Sequence, residues 1–163
     1  MRNEKEMIDY DDAIQSHEQF VELLIKLRKL TKYITIVQLD RENKREPLIV
    51  NAQSKMELLD KYKAQEWYGT LRGGGYGMVY EFDVKDKSFF DDLMKYEAFY
   101  ISKVSRNGEY CVKRTDFGID DIAFLDQDHR PLFYTTTHEG FAMIHPDVLK
   151  VDVSWMSAEF QKS

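Results

Sequence analysis

Apolar and polar positions alternate from Met78 to Val84. Met78, Tyr80, Phe82 and Val84 share one side, and Val79, Glu81 and Asp83 the other. A repeat of two marks a half-buried strand, because successive side chains leave opposite faces of the pleat. A second β-prone run begins at Glu66, and Gly73, Gly74 and Gly75 lie between the two. Glycine reaches positive φ without steric penalty, so three in a row let a chain reverse or a ligand approach its backbone. The pattern predicts a central hairpin over 66–84 whose glycine bend faces outward.

A repeat of 3.6 governs an earlier stretch. On a helical wheel, Ile14, Phe20, Val21, Leu23, Leu24, Ile25, Leu27 and Leu30 fill one broad arc, and Gln15, Glu18, Glu22, Lys26 and Lys29 the rest. Ser16 and Gln19 have the spacing of a capping box, and Glu22 and Lys26 that of a favourable i,i+4 pair. Such a wide apolar arc predicts a helix packed on a sheet. Tyr33 to Leu39 is apolar on both faces, as an interior strand would be. Asp40 to Glu46 reads as a turn, and Pro47 as the entry to a short edge strand, Leu48 to Val50. Ser54 and Glu57 repeat the capping-box spacing. With Met56, Leu59 and Tyr62 they predict a second helix to about Ala64. Asp86 or Ser88 opens a third helix carrying Phe89, Phe90, Leu93 and Met94. Strand–strand–helix then occurs twice, at 33–65 and 66–97, with no shared residue pattern to indicate duplication.

From Phe99 onward the chain reads as strands. Asn107-Gly108 is a two-residue hairpin signal that would set Arg106 opposite Glu109. Ile119 to Leu125, Leu132 to Thr137 and Phe141 to Ile144 follow, joined by Asp126 to Pro131 and by His138-Glu139-Gly140. This predicts a meander of four or five antiparallel strands. Pro146-Asp147 is a helix start, and Trp155, Met156 and Phe160 suit a tail docked on the body. No Pro/Gly/Ser linker divides the chain, so the expectation is one α+β domain over 1–163, frayed over 1–11. Its antiparallel sheet would be packed by an N-terminal helix and two shorter ones.

Composition narrows the function. The 163 residues are 43% hydrophobic, enough for a core, and carry a net charge of −6. That balance disfavours nucleic acid, whose phosphates are bound largely through Lys and Arg, and favours a basic partner. Cys111 is the single cysteine, so no intrachain disulfide forms. With no signal-like start and no run approaching the ~18 apolar residues of a membrane span, the expected compartment is the cytoplasm.

Candidate chemistry is sparse. Arg72 beside Gly73–Gly75 offers backbone N–H groups and a guanidinium to an anion. Phosphate cradles usually open into a helix N-terminus, however, and these glycines lead into a strand. Asp116-Phe117-Gly118 invites comparison with kinases, but the chain is too short and has no His-Arg-Asp loop. Asp116, Asp120, Asp121, Asp126 and Asp128, followed by His129, lack the spacing of a calcium loop and read as a solvated acidic rim. His17, His129, His138 and His145 do not form a zinc motif. His138, beside Thr135–Thr137 at a strand end, could act as a base, though a turn histidine is the simpler reading. Cys111 reads as a buried, inert thiol.

Core packing claims Tyr80 and Trp67, leaving Tyr68, Arg72 and Tyr76 as a contact cluster beside the glycine bend. The expectation is a non-catalytic binding protein without metal or cofactor, acting on another protein as an inhibitor or neutralising partner of a basic one. The alternative is a small-molecule or anion site, with or without catalysis, between the Gly73–Gly75 loop and the His129–His138 region, with Arg72, Tyr76 and His138 converging.

Overall fold

A computed structural model describes residues 6–39, 47–68, 76–104 and 110–153. Within them the order is β1 (Ile8–Asp9), α1 (His17–Leu30), β2 (Tyr33–Gln38), α2 (Pro47–Lys55), β3 (Glu57–Ala64) and β4 (Gly77–Asp83). Then come α3 (Phe89–Leu93), β5 (Ile101–Val104), β6 (Tyr110–Lys113), β7 (Asp121–Leu125) and β8 (Pro131–Thr136). A 3-10 turn at Thr137–Glu139, β9 (Phe141–Ile144) and α4 (Pro146–Leu149) complete it. Seven strands form one sheet in the order β1-β9-β8-β7-β2-β4-β3, every neighbouring pair antiparallel, and β5 and β6 pair separately. The fold is α+β.

The sheet has two unlike faces. Register places Ile34, Phe82 and Phe124 in one row and Ile36, Tyr80 and Ile122 in the next. These residues share a core with Phe20, Leu23, Leu24 and Leu27 of α1, with Leu48, Ile49 and Ala52 of α2, and with Phe89, Phe90 and Leu93 of α3. All helices of that cluster therefore cover one face. Its centre is Phe99, outside any regular element, which meets Phe20 edge-on at 4.8 Å and Phe117 at 4.9 Å. Fully burying one such ring contributes roughly 1.5–3 kcal/mol. The outer face carries Thr35, Val37, Val79, Glu81, Asp121 and Ala123 in the alternate register positions.

Helix α1 follows its pattern. Ser16 Oγ accepts from Gln19 N at 3.3 Å, and the apolar arc is buried. The reciprocal bond is displaced by one residue, because Gln19 Oε1 accepts from Gln15 N at 2.7 Å. Glu22 and Lys26 pair at 3.8 Å. Strands β7, β8 and β9 and the start of α4 also lie where the alternation put them.

Four expectations are corrected. First, 47–64 is exchanged: the expected strand 48–50 lies inside α2, and the expected helix to Ala64 is β3. Pro47 occupies the first turn of α2, where its missing N–H is no loss. Ser54 Oγ bonds back to Asn51 O at 2.7 Å near the end of α2, so it does not cap a following helix. Second, the arm paired with β4 is 57–64, not a strand starting at Glu66. Third, β5 and β6 form their own ribbon, so the meander in the main sheet is β7-β8-β9. Fourth, the start of the chain holds an element: Ile8 and Asp9 pair with Ile144 and Met143. The turn at 40–46, the Arg106–Glu109 hairpin tip and the tail residues Trp155, Met156 and Phe160 lie outside the described residues.

Candidate functional site

One end of the sheet gathers the last residues of β2 and β8 and the first of β4 and β7. Trp67 and Tyr68 cross the outer face there. Trp67 Nε1 donates to Asp121 Oδ2 at 2.9 Å, and its ring lies against Gly77. A Cβ on Gly77 would stand 2.5 Å from Val37 and 3.0 Å from the Trp67 ring, so the indole sits this close only because the position is glycine. Tyr68 stacks on Tyr134 with centroids 5.5 Å apart, beside Met7, Ala123 and Met143. Tyr68 is thus half-buried, with its ring packed on the outer face of the sheet.

The same end holds the 3-10 turn that contains His138. Thr137 N donates to Asp121 Oδ1 at 2.9 Å, and the Thr135 and Thr137 hydroxyls lie 2.7 Å apart. Leu39 N donates to Asp120 Oδ1 at 3.3 Å. His129 is not part of this gathering. It sits at the opposite end with φ 61, stacked at 3.9 Å on Tyr33, the first residue of β2. Tyr76 is 50% exposed, with Lys63 Nζ 4.8 Å from its ring. Arg72, Gly73, Gly74 and Gly75 lie outside the described residues.

The acidic run is not one rim. Asp120 and Asp121 are buried and accept backbone or indole hydrogens, while Asp116 accepts from Glu97 N at 2.9 Å. Asp126 closes a turn by accepting from Asp128 N and Arg130 N. The spacing of these residues was plain in the sequence, but which carboxylates point inward depends on strand register. Among the described residues no three His, Cys, Asp or Glu side chains group as metal ligands would.

Another exposed feature on regular structure is β3, which sequence reasoning missed by reading it as helix. It is the margin of the sheet, and its residues from Glu57 to Lys63 are exposed. Leu58, Leu59 (48% exposed) and Tyr62 (40%) stand on it, with no strand beyond among the described residues. Its register with β4 sets Asp60 opposite Glu81 and Glu57 opposite Asp83, two directly opposed carboxylate pairs. Like charges so placed destabilise a ladder. The second pair is compensated by Lys85 on Glu57 at 2.6 Å and Lys32 on Asp83 at 2.7 Å. For the first, no Lys or Arg among the described residues makes an ion pair, and Glu81 accepts only the Tyr62 hydroxyl at 2.9 Å. Burial, that hydrogen bond and the charges of Glu81 and Asp60 push the Tyr62 hydroxyl up to about 12. Lys61 and Lys63 take the other side of the strand, over Tyr80 and Tyr76.

Compared with known proteins, the chain matches no family model, no curated protein and no solved structure. Among the described residues, no helix is long and apolar enough to cross a membrane.

Proposed function

We propose that the protein is a non-catalytic binding protein that takes up a basic segment of another protein as a strand added to the free edge of β3. The observation that carries this reading is the opposed Asp60–Glu81 pair, given no cation by the described residues, on an eight-residue strand that is the margin of the described sheet. An added strand would satisfy the outward N–H and C=O groups of β3. A Lys or Arg on its outer face would relieve the opposed carboxylates, and Leu58, Leu59 and Tyr62 supply apolar contact. The net charge of −6 steers a basic partner toward the chain. The bulge between Leu58 and Asp60, with Lys61 and Lys63, disfavours indiscriminate edge-to-edge pairing. Inhibiting or neutralising a basic protein is the role that suits such a surface. The lone Cys111 fits a reducing compartment, so we place the protein in the cytoplasm.

An anion or small molecule held between the glycine loop and His138 is the competing reading. Arg72 and Gly73–Gly75, on which that reading depends, lie outside the described residues, whereas the β3 edge lies within them, so the strand-binding reading is preferred. The test is a titration of isotope-labelled protein with two synthetic peptides, one alternating lysine and valine, the other glutamate and valine. Amide shifts confined to β3, seen only with the lysine peptide and weakened by salt and by Asp60→Lys, are expected. Equal responses to both peptides, or a response indifferent to Asp60→Lys, would remove the reading.

A further inference from the structure

The two sides of β3 carry opposite charges. Register with β4 puts Glu57, Asp60 and Tyr62 on the outer side with Asp83, Glu81 and Val79. Leu58, Lys61 and Lys63 fall on the helix-bearing side with Phe82, Tyr80 and Met78. Asp60 Oδ1 accepts from Lys61 N at 2.9 Å, which tethers the carboxylate beside the edge, and no Lys or Arg of the described residues pairs with it. Lys61 and Lys63 are likewise without a carboxylate among the described residues. Each lies over an aromatic ring, Lys61 Nζ 5.2 Å from Tyr80 and Lys63 Nζ 4.8 Å from Tyr76. Attraction to those rings holds the ammonium groups on their own side of the strand. Asp60, Lys61 and Lys63 are all exposed.

Successive side chains of any strand laid against this edge leave opposite faces, so the acidic row and the basic row read alternate residues of a guest. Directly opposed residues share a face, where unlike charges attract and like charges repel. A second copy of the chain is a poor occupant. Antiparallel strands related by a two-fold axis keep their equivalent faces on the same side. Pairing β3 with itself would therefore set acids beside acids and Lys61 and Lys63 against lysines. A guest that is basic on one side and apolar on the other answers only the acidic row. Its apolar side chains would cover the two ammonium groups and remove water from them without supplying a partner, which is costly.

We propose that the strand taken up by β3 alternates in charge, with Lys or Arg on the outer side opposite Asp60 and Asp or Glu on the other side opposite Lys61 and Lys63. This rests on the reading that β3 accepts a strand. Titration of isotope-labelled protein with the lysine–valine peptide, and with a counterpart carrying glutamate in place of its two central valines, tests it. The exchange makes the peptide less cationic, so attraction to the net charge of −6 alone would weaken binding. Complementary pairs should instead tighten it about threefold or more at roughly 0.15 M salt. In the double variant Lys61→Met, Lys63→Met that advantage should vanish while the lysine–valine peptide binds at least as well as before, a combination that loss of structure would not produce. If the lysine–valine peptide shifts β3 and its glutamate-bearing counterpart binds no more tightly, or if the advantage survives the double variant, the alternating pattern is overturned and strand uptake by β3 stands. If neither peptide shifts β3, both fall.

Discussion

Asp121→Asn separates a carboxylate used by the fold from its neighbours in the acidic run. Asp121 is 2% exposed, and among its contacts Oδ2 accepts from Trp67 Nε1 and Oδ1 from Thr137 N, each at 2.9 Å. Asparagine has one acceptor oxygen and one NH₂ group. Whichever way it turns, one donor faces another donor. Losing a charge-assisted hydrogen bond costs about 1.5–3 kcal/mol, and stranding a buried donor about 1–3. Relief of the desolvation of a buried charge offsets part of this, leaving a net loss of about 2 kcal/mol. For a chain of this length that is roughly 4–8 °C in Tm. Asp128→Asn is the comparison: its side chain is 64% exposed and 3.5 Å from Arg130, so a change within about 0.5 kcal/mol is expected. Urea unfolding followed by circular dichroism and by Trp67 emission, in a Trp155→Phe background, reads both. The native emission of Asp121→Asn should also move to the red as the indole loses its anchor. If the two variants unfold within about 0.5 kcal/mol of each other, the assignment of Asp121 as the clasp of this segment is refuted.

Phe99→Ala should cost about 3–5 kcal/mol by opening a cavity among Phe20, Phe117 and Phe133; denaturant midpoints check it, and a loss near 1 kcal/mol would mean the core collapses around the gap. Gly140 has φ 70 and its added Cβ would strike Val112, so Gly140→Ala should lose about 2–4 kcal/mol from left-handed strain and overlap, read as a lowered Tm. Tyr62 is raised from 10.0 to about 12 in the folded protein. Its share of stability is therefore complete below about pH 10 and is lost as pH rises through that window, because the unfolded chain ionises first. Ultraviolet titration should show a late-ionising component that shrinks by one tyrosine in Tyr62→Phe, leaving the raised Tyr10, and that moves earlier in Glu81→Gln; a titration unaltered by Glu81→Gln would contradict the Tyr62–Glu81 contact.

Much of this architecture was legible one element at a time. The arc of α1, the alternation of β4, the polar breaks around β7 to β9 and Pro146 before α4 are local patterns with local causes. The region 47–64 misled because its cues conflict. Leu48-Ile49-Val50 has the β-branched character of a strand, yet Pro47 starts a helix there and Leu48, Ile49 and Ala52 turn together into the core. Conversely, Glu57-Leu58-Leu59-Asp60-Lys61 is composed mostly of helix formers and, being exposed on both faces, shows no period of two. Pairing with β4, a partner some twenty residues away, makes it a strand. The candidate surface was hidden for the same reason, since Asp60 and Glu81 become opposed only through that register.

By itself the sequence determined which faces are apolar, where most turns fall and that the chain is acidic, because periodicity, turn chemistry and charge reside in neighbouring residues. Only the tertiary structure decided that Asp120 and Asp121 are buried, that Tyr68 is packed, that His129 and His138 stand at opposite ends of the sheet and that β3 is its margin among the described residues. Those properties depend on strand order and register, which are set by contacts between residues far apart in the chain.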